Sequence, residues 1–259
     1  MAVGGMIGGG IFSTLGVVIS VAGRWAWASF LLGGLIALAT GQSYSSLTCK
    51  FDAAGGLYTF LLKLQLRRLA TIAAWVLVIG YTLTVAVYAF TFGAYAAYAL
   101  GSDGWVRALA AVGIICVLAG VNLMGAREAT IVELVAVWGK LAILLGLAAI
   151  GLWNWAPDRL ELDPGQPVSL TGALIGAGVV FMAYEGFQLL SYDYDEMKDP
   201  PRVIGRAMPL AILVTMAVYI LVALATPMLV TVRERSSAKR KFRWLRRGRP
   251  RRARPGSWP

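Results

Sequence analysis

The chain has 259 residues, of which 58% are hydrophobic, with a mean hydropathy of +0.70 and a formal net charge of +11. Its uncharged runs are too long for the core of a soluble domain, which places it in a lipid bilayer. Histidine is absent, which excludes histidine-based catalysis, and the only two cysteines, Cys49 and Cys116, leave room for one bridge but give no sign of a disulfide framework.

Seven stretches read as membrane helices, since a crossing takes about 20 mostly apolar residues. The first, Met1–Gly23, carries the glycine triplet Gly8, Gly9 and Gly10 in GMIGGGIFSTLG. Trp25–Cys49, Leu69–Ser102 and Ala108–Ala126 follow without a charge. The fifth begins near Ile131 and runs to Ala156, with Glu133 and Lys140 inside it. The sixth, Val168–Tyr192, is interrupted at FMAYEGFQLLSY, where Gly186 stands beside Glu185; the seventh is Ala207–Val232. The chain opens directly in the first span with no basic leader region, so no secretory signal is read and a further N-terminal stretch is expected.

Thr231–Pro259 holds 12 Lys and Arg against one acid, Glu234, and so supplies the whole excess charge. With the N-terminus cytoplasmic, inside loops hold Lys50, Lys63, Arg67, Arg68, Arg127, Lys198, Arg202 and Arg206, against Arg24, Arg107 and Arg159 outside. That asymmetry sets the orientation. The tail then falls on the wrong side. It reads as out-of-frame translation of GC-rich DNA, as a disordered tail, or as a patch for nucleic acid or anionic lipid; no nucleic-acid partner is assigned.

The two glycine-broken spans carry the functional signal. Backbone freed from a helix inside a membrane is tolerated only where it is buried in protein or lines a cavity, and a matched pair of breaks marks a transporter's binding site. Past Gly8–Gly10 a half-helix presents free N–H groups and the positive end of its dipole, which suits a carboxylate. The alternative is close packing, because Gly4/Gly8 and Gly5/Gly9 fit small-xxx-small spacing. The expectation is that Gly9 and Gly10 lie in a non-helical break, facing another at Gly186. Glu185, a carboxylate at mid-span, has to be paired, protonated or functional. Lys140 lies too far from either helix end to snorkel; it pairs with Glu133, two turns away, or it titrates. Tyr81, in the third span, closes the site from outside or simply packs. The pairs Gly33–Gly34 and Gly55–Gly56 are too weak for a nucleotide site, and no metal, nucleophile–base or phosphate constellation supports an enzyme or a cofactor.

Three segments together resemble the amino acid–polyamine–organocation (APC) permeases: GMIGGGIF; FDAAGGLYTF, with Asp52 where proline is common; and FMAYEGFQLLSYDYDEMKDPPRVIGRAM, with Asp199 where the family pattern has Asn. The resemblance covers residues 1 to about 230. It implies an all-α membrane protein with seven helices of an incomplete five-plus-five inverted repeat, the leucine-transporter-like fold: 1–156 the first repeat, 157–230 the start of the second, 231–259 the basic tail. It also implies secondary active transport of amino acids or related amines across the cell membrane, coupled to protons or to sodium. By resemblance, the amides of Gly9 and Gly10 hold a substrate carboxylate, and the carbonyls of Met6, Met182 and Glu185 face its amino group. Met182, Ala183 and Tyr184 line the side-chain pocket, and Lys140 carries the proton. A titratable residue of some relatives is replaced here by Gln188. Two other readings compete. One is a truncated fragment that inserts without transporting, since alternating access needs both repeats. The other is a seven-helix receptor of retinal type, which needs a lysine in the last span; Ala207–Val232 has none.

Overall fold

The computed structural model describes residues 2–101, 104–156, 160 and 170–229, and every regular element among them is helical. The basic tail lies outside these residues, as does Arg159. The first span is two helices, α1 (Ala2–Met6) and α2 (Gly9–Ala22). A 3-10 turn at Gly23–Trp25 leads into α3 (Ala26–Phe51). Then come a short α4 (Gly56–Lys63), α5 (Arg67–Ala99), α6 (Trp105–Met124) and α7 (Ala126–Trp153). The sixth span is α8 (Leu170–Phe181) followed by 3-10 turns at Met182–Tyr184 and Phe187–Ser191, and α9 (Pro200–Leu229) closes the described chain.

Among the described residues six stretches are long and apolar enough to cross a bilayer, which makes this an all-α membrane protein. One of them, Gly9–Phe51, has 43 residues, about twice a crossing. The turn at Gly23, where φ is 55°, divides it into the first and second spans of the sequence reading. Charge-free runs located most of the helices to within a few residues because lipid admits no other backbone, although α9 begins at Pro200, seven residues before Ala207. The fifth helix, α7, starts earlier than expected, at Ala126 rather than near Ile131. A helix that ends at the bilayer surface need not stop at the first charge.

The core lies between α3, α8 and α9, with α1 and α2 laid against them. Its largest fully buried side chains include Tyr184, Tyr194, Tyr219, Phe30, Met6 and Ile11. Glycine sets these distances. A Cβ added at Gly33 would sit 3.0 Å from the Val180 side chain of α8, and one at Gly34 would sit 2.6 Å from Met216 of α9. The glycine pair is thus a helix-packing device. By contrast α6 buries none of its described side chains, and Trp75 of α5 and Leu123 of α6 are 66% and 89% exposed. Apolar residues on an outer face are what lipid contact requires.

The α3–α4 connection is pinned at Asp52. Asp52 ends α3 at φ 47°, a left-handed conformation that proline, locked near −65°, cannot adopt. Its carboxylate accepts the Tyr194 hydroxyl at 2.8 Å, and the Gly55 N–H donates to the Ser191 carbonyl at 3.2 Å. The α3–α4 connection is therefore tied to the stretch that follows α8. Tyr194 is buried, and that burial, with the neighbouring Asp52 carboxylate, pushes its hydroxyl up to about 12.

Candidate functional site at two helix breaks

The first break is narrower than the glycine triplet suggested. Only Ile7 and Gly8 are non-helical, and Gly9 and Gly10 are the first two residues of α2. One residue with non-helical backbone is enough to end one helix and cap the next, so the expectation that Gly9 and Gly10 lie in the break is corrected by two positions. Their chemistry survives the shift. The first N–H groups of a helix have no intrahelical acceptor, and Gly8 at the cap has no side chain to offer one. Gly8 and Gly9 are half-buried, while Gly10 is buried with its backbone against Ala183. A Cβ at Gly10 would come within 2.7 Å of the Ala183 Cα.

The second break is longer. After α8 the chain tightens to 3-10 geometry at Met182–Tyr184, turns at Glu185 and Gly186, and continues as 3-10 through Ser191. Gly186 has φ 129°, which L side chains rarely adopt, and a Cβ there would lie 2.7 Å from the Gly5 carbonyl carbon. The second break therefore lies at backbone contact with the end of α1 at Gly186 and with the start of α2 at Ala183, on either side of the first break. A third element joins them. The Tyr219 hydroxyl of α9 lies 2.6 Å from the Met6 carbonyl oxygen and 2.9 Å from that of Ala183. Behind it, Tyr184 donates to the Phe30 carbonyl at 2.8 Å, and the rings of Phe30, Tyr184 and Tyr219 pack together.

α5 covers the open side. The ring of Tyr88 lies over Gly9, close enough that a Cβ there would meet it at 2.5 Å. One turn before it, the Thr84 hydroxyl faces Glu185 Oε2 at 3.4 Å. Tyr81, two turns before Tyr88, accepts a long contact from Gln188 Nε2 at 3.5 Å, on the side where the Phe187–Ser191 turn packs on α1. Gln188 Oε1 in turn accepts the Gly186 N–H at 3.0 Å. Sequence reasoning singled out Tyr81 and missed Tyr88, although i and i+7 share a helix face. It also missed Thr84 and Tyr219. A tyrosine in the wholly apolar run MAVYILVAL was the available signal, because its hydroxyl must find an acceptor once buried.

Lys140 lies on the face of α7 turned to the first span. Val137, one turn earlier, touches Gly4 of α1, while Leu144 and Ala148 are buried and Gly151 meets Ala225 of α9. Lys140 itself is half-buried, and among the described residues no ion pair joins it to Glu133. Among those residues no group of three or more His, Cys, Asp or Glu is placed to hold a metal ion.

Two broken spans bridged from a neighbouring helix lie inside a multi-pass helical membrane protein. Residues 1–240 match the model of the amino acid permease family, and the chain belongs to that family. It is 30% identical over 237 residues to the inner membrane transport protein YbaT of Escherichia coli, covering 86% of this chain and 53% of that protein. It is 29% identical to the serine/threonine exchanger SteT of Bacillus subtilis, covering 87% of this chain and 52% of that protein. To the methylthioribose transporter of the same organism it is 26% identical, covering 89% and 52% respectively. The chain thus spans about half the length of the curated relatives it matches.

Proposed function

We propose that this chain carries the substrate site of an amino acid transporter. The observation that supports it best is the approach of the two breaks, with Gly186 at backbone contact with Gly5. In this reading the first-turn amides of α2, at Gly9 and Gly10, receive a substrate carboxylate at the positive end of the helix dipole. Met182, Ala183 and Tyr184 shape the pocket behind, and Tyr88 rather than Tyr81 covers the carboxylate end. In this reading the N-terminus faces the cytoplasm, which the distribution of Lys and Arg in the short loops supports. The test is direct titration of the purified chain in lipid nanodiscs with each of the twenty amino acids. Saturable binding of at least one is expected, and binding of none overturns the reading.

Coupling to protons runs through Lys140 in the same proposal. An ammonium beside the first span fills the place a coupling cation would take, and burial lets a lysine release its proton. Binding of the amino acid is then expected to change the proton content of the wild-type chain, read with a pH dye in weak buffer, and to leave that of Lys140→Met unchanged. Equal proton uptake or release by both proteins removes Lys140 from the role.

A further inference from the structure

We propose that the carboxylate of Glu185 is an ammonium-binding group at the second break. The inference rests on the substrate reading above and deepens it, by assigning the positive end of the ligand to a side chain rather than to backbone carbonyls.

Of the three carbonyls that the resemblance assigns to the amino group, those of Met6 and Met182 already accept hydrogen bonds. The Met6 oxygen accepts both the Gly8 N–H at 2.8 Å and the Tyr219 hydroxyl at 2.6 Å, which uses its two lone pairs. The Ala183 oxygen faces the same hydroxyl at 2.9 Å, and the Met182 oxygen accepts the Glu185 N–H at 3.3 Å. The Glu185 carboxylate is in the opposite condition. It is half-buried in the middle of a span, and among the described residues no ion pair reaches it. Among the described residues its one side-chain hydrogen bond is from the Thr84 hydroxyl at 3.4 Å, well beyond the length of a charge-assisted hydrogen bond. A carboxylate offers about four lone-pair sites. An unpaired charge in a membrane interior is costly, so a ligand cation there is favoured twice, by its own attraction and by relief of that cost.

The spacing fits. Thr84 is one turn from Tyr88, whose ring lies over Gly9. The carboxylate and the first turn of α2 thus meet α5 at residues one helical turn apart on the same face. Amides at the positive end of a helix on one side and a carboxylate on the other form the electrostatic complement of a zwitterion. The shared chemistry is an alkylammonium, supplied either by an α-amino group or by a basic side chain.

The twenty amino acids, titrated one at a time into wild-type and Glu185→Gln chains in nanodiscs, separate the cases. For every amino acid that the wild type binds, the Gln variant is expected to bind about 10- to 100-fold more weakly, the loss of a hydrogen bond between charged groups. The N-acetylated form of the same amino acid is expected to lose affinity for the wild type and to be indifferent to the substitution. A loss confined to lysine and arginine assigns the group to the side-chain ammonium instead. Glu185→Asp, which keeps the charge, is expected to fall between wild type and Gln. Unchanged affinity in Glu185→Gln, or an Asp variant no better than Gln, overturns the inference while leaving the substrate reading intact. If the wild type binds none of the twenty, the substrate reading itself has failed and takes this inference with it.

Discussion

The two breaks solve the same problem with different materials. The first is almost pure backbone: Gly4, Gly5, Gly8, Gly9 and Gly10 surround Met6 and Ile7, and only two residues leave helical geometry. The second spreads over Met182–Ser191 in 3-10 turns and carries side-chain polarity in Glu185 and Gln188. A glycine break lets another backbone come close and offers amides without sterics; a break with polar side chains offers charge at a chosen point. In the proposed reading, the two unlike breaks match a ligand with two unlike ends.

Substitution at the closest glycines tests this contrast hardest. Gly186→Ala has to place a Cβ at φ 129° and against the Gly5 backbone. The strained conformation costs about 1–3 kcal/mol and the overpacking a similar amount. A fall of about 2–5 kcal/mol in stability is expected, read from denaturation in a mild detergent. A change below about 1 kcal/mol would mean that the second break is not held against α1. Gly10→Ala, whose Cβ meets the Ala183 backbone from an ordinary helical conformation, is expected to cost only the overpacking part, about 1–3 kcal/mol.

Tyr219→Phe comes next. It removes the one hydroxyl that touches both breaks and leaves the packing of Phe30 and Tyr184 in place. A loss of about 1–3 kcal/mol is expected from the carbonyls left short of a donor. Faster backbone hydrogen exchange is expected on both sides, at Ile7–Gly10 and at Glu185–Gln188. Exchange that rises at one break alone would separate the two and undo the comparison.

Smaller still is Tyr194→Phe at the α3–α4 connection. Its hydroxyl is raised to about 12 from an ordinary value near 10, so the folded state holds the proton more tightly than the unfolded. The stabilisation is complete below pH 10 and is lost as pH rises toward 12. Wild type is therefore expected to lose its advantage over the Phe variant, about 0.5–1.5 kcal/mol at neutral pH, across that interval. Parallel stability curves would remove Asp52 from the latch. The smallest effect belongs to Gly16→Ala, where no atom lies within 4 Å of the added Cβ. There a gain of about 0.5–1 kcal/mol is expected.

The fold was legible because lipid forces each crossing into a long apolar helix, so charge-free runs such as Trp25–Cys49 trace α3 directly. The short α4 was not, since eight residues ending in Lys63 give neither length nor an uncharged run. The breaks were visible as glycine where helix propensity should be strongest, and Gly186 kept its place. The site's covering residues were hidden for another reason. Tyr88, Thr84 and Tyr219 sit in spans whose composition gives no hint of which face turns inward, and only the crossing of α5 and α9 over the breaks selects them.

The Tyr219 hydroxyl has one proton and two carbonyls within reach. It can bond fully to only one of them at any instant, and it loses nothing by changing over. When one half-helix draws back, the donor is handed to the other, and no polar hydrogen is stranded in the apolar interior. The donor thus keeps its own bond whichever backbone it serves, and the cost of moving the two apart falls on the carbonyl left behind.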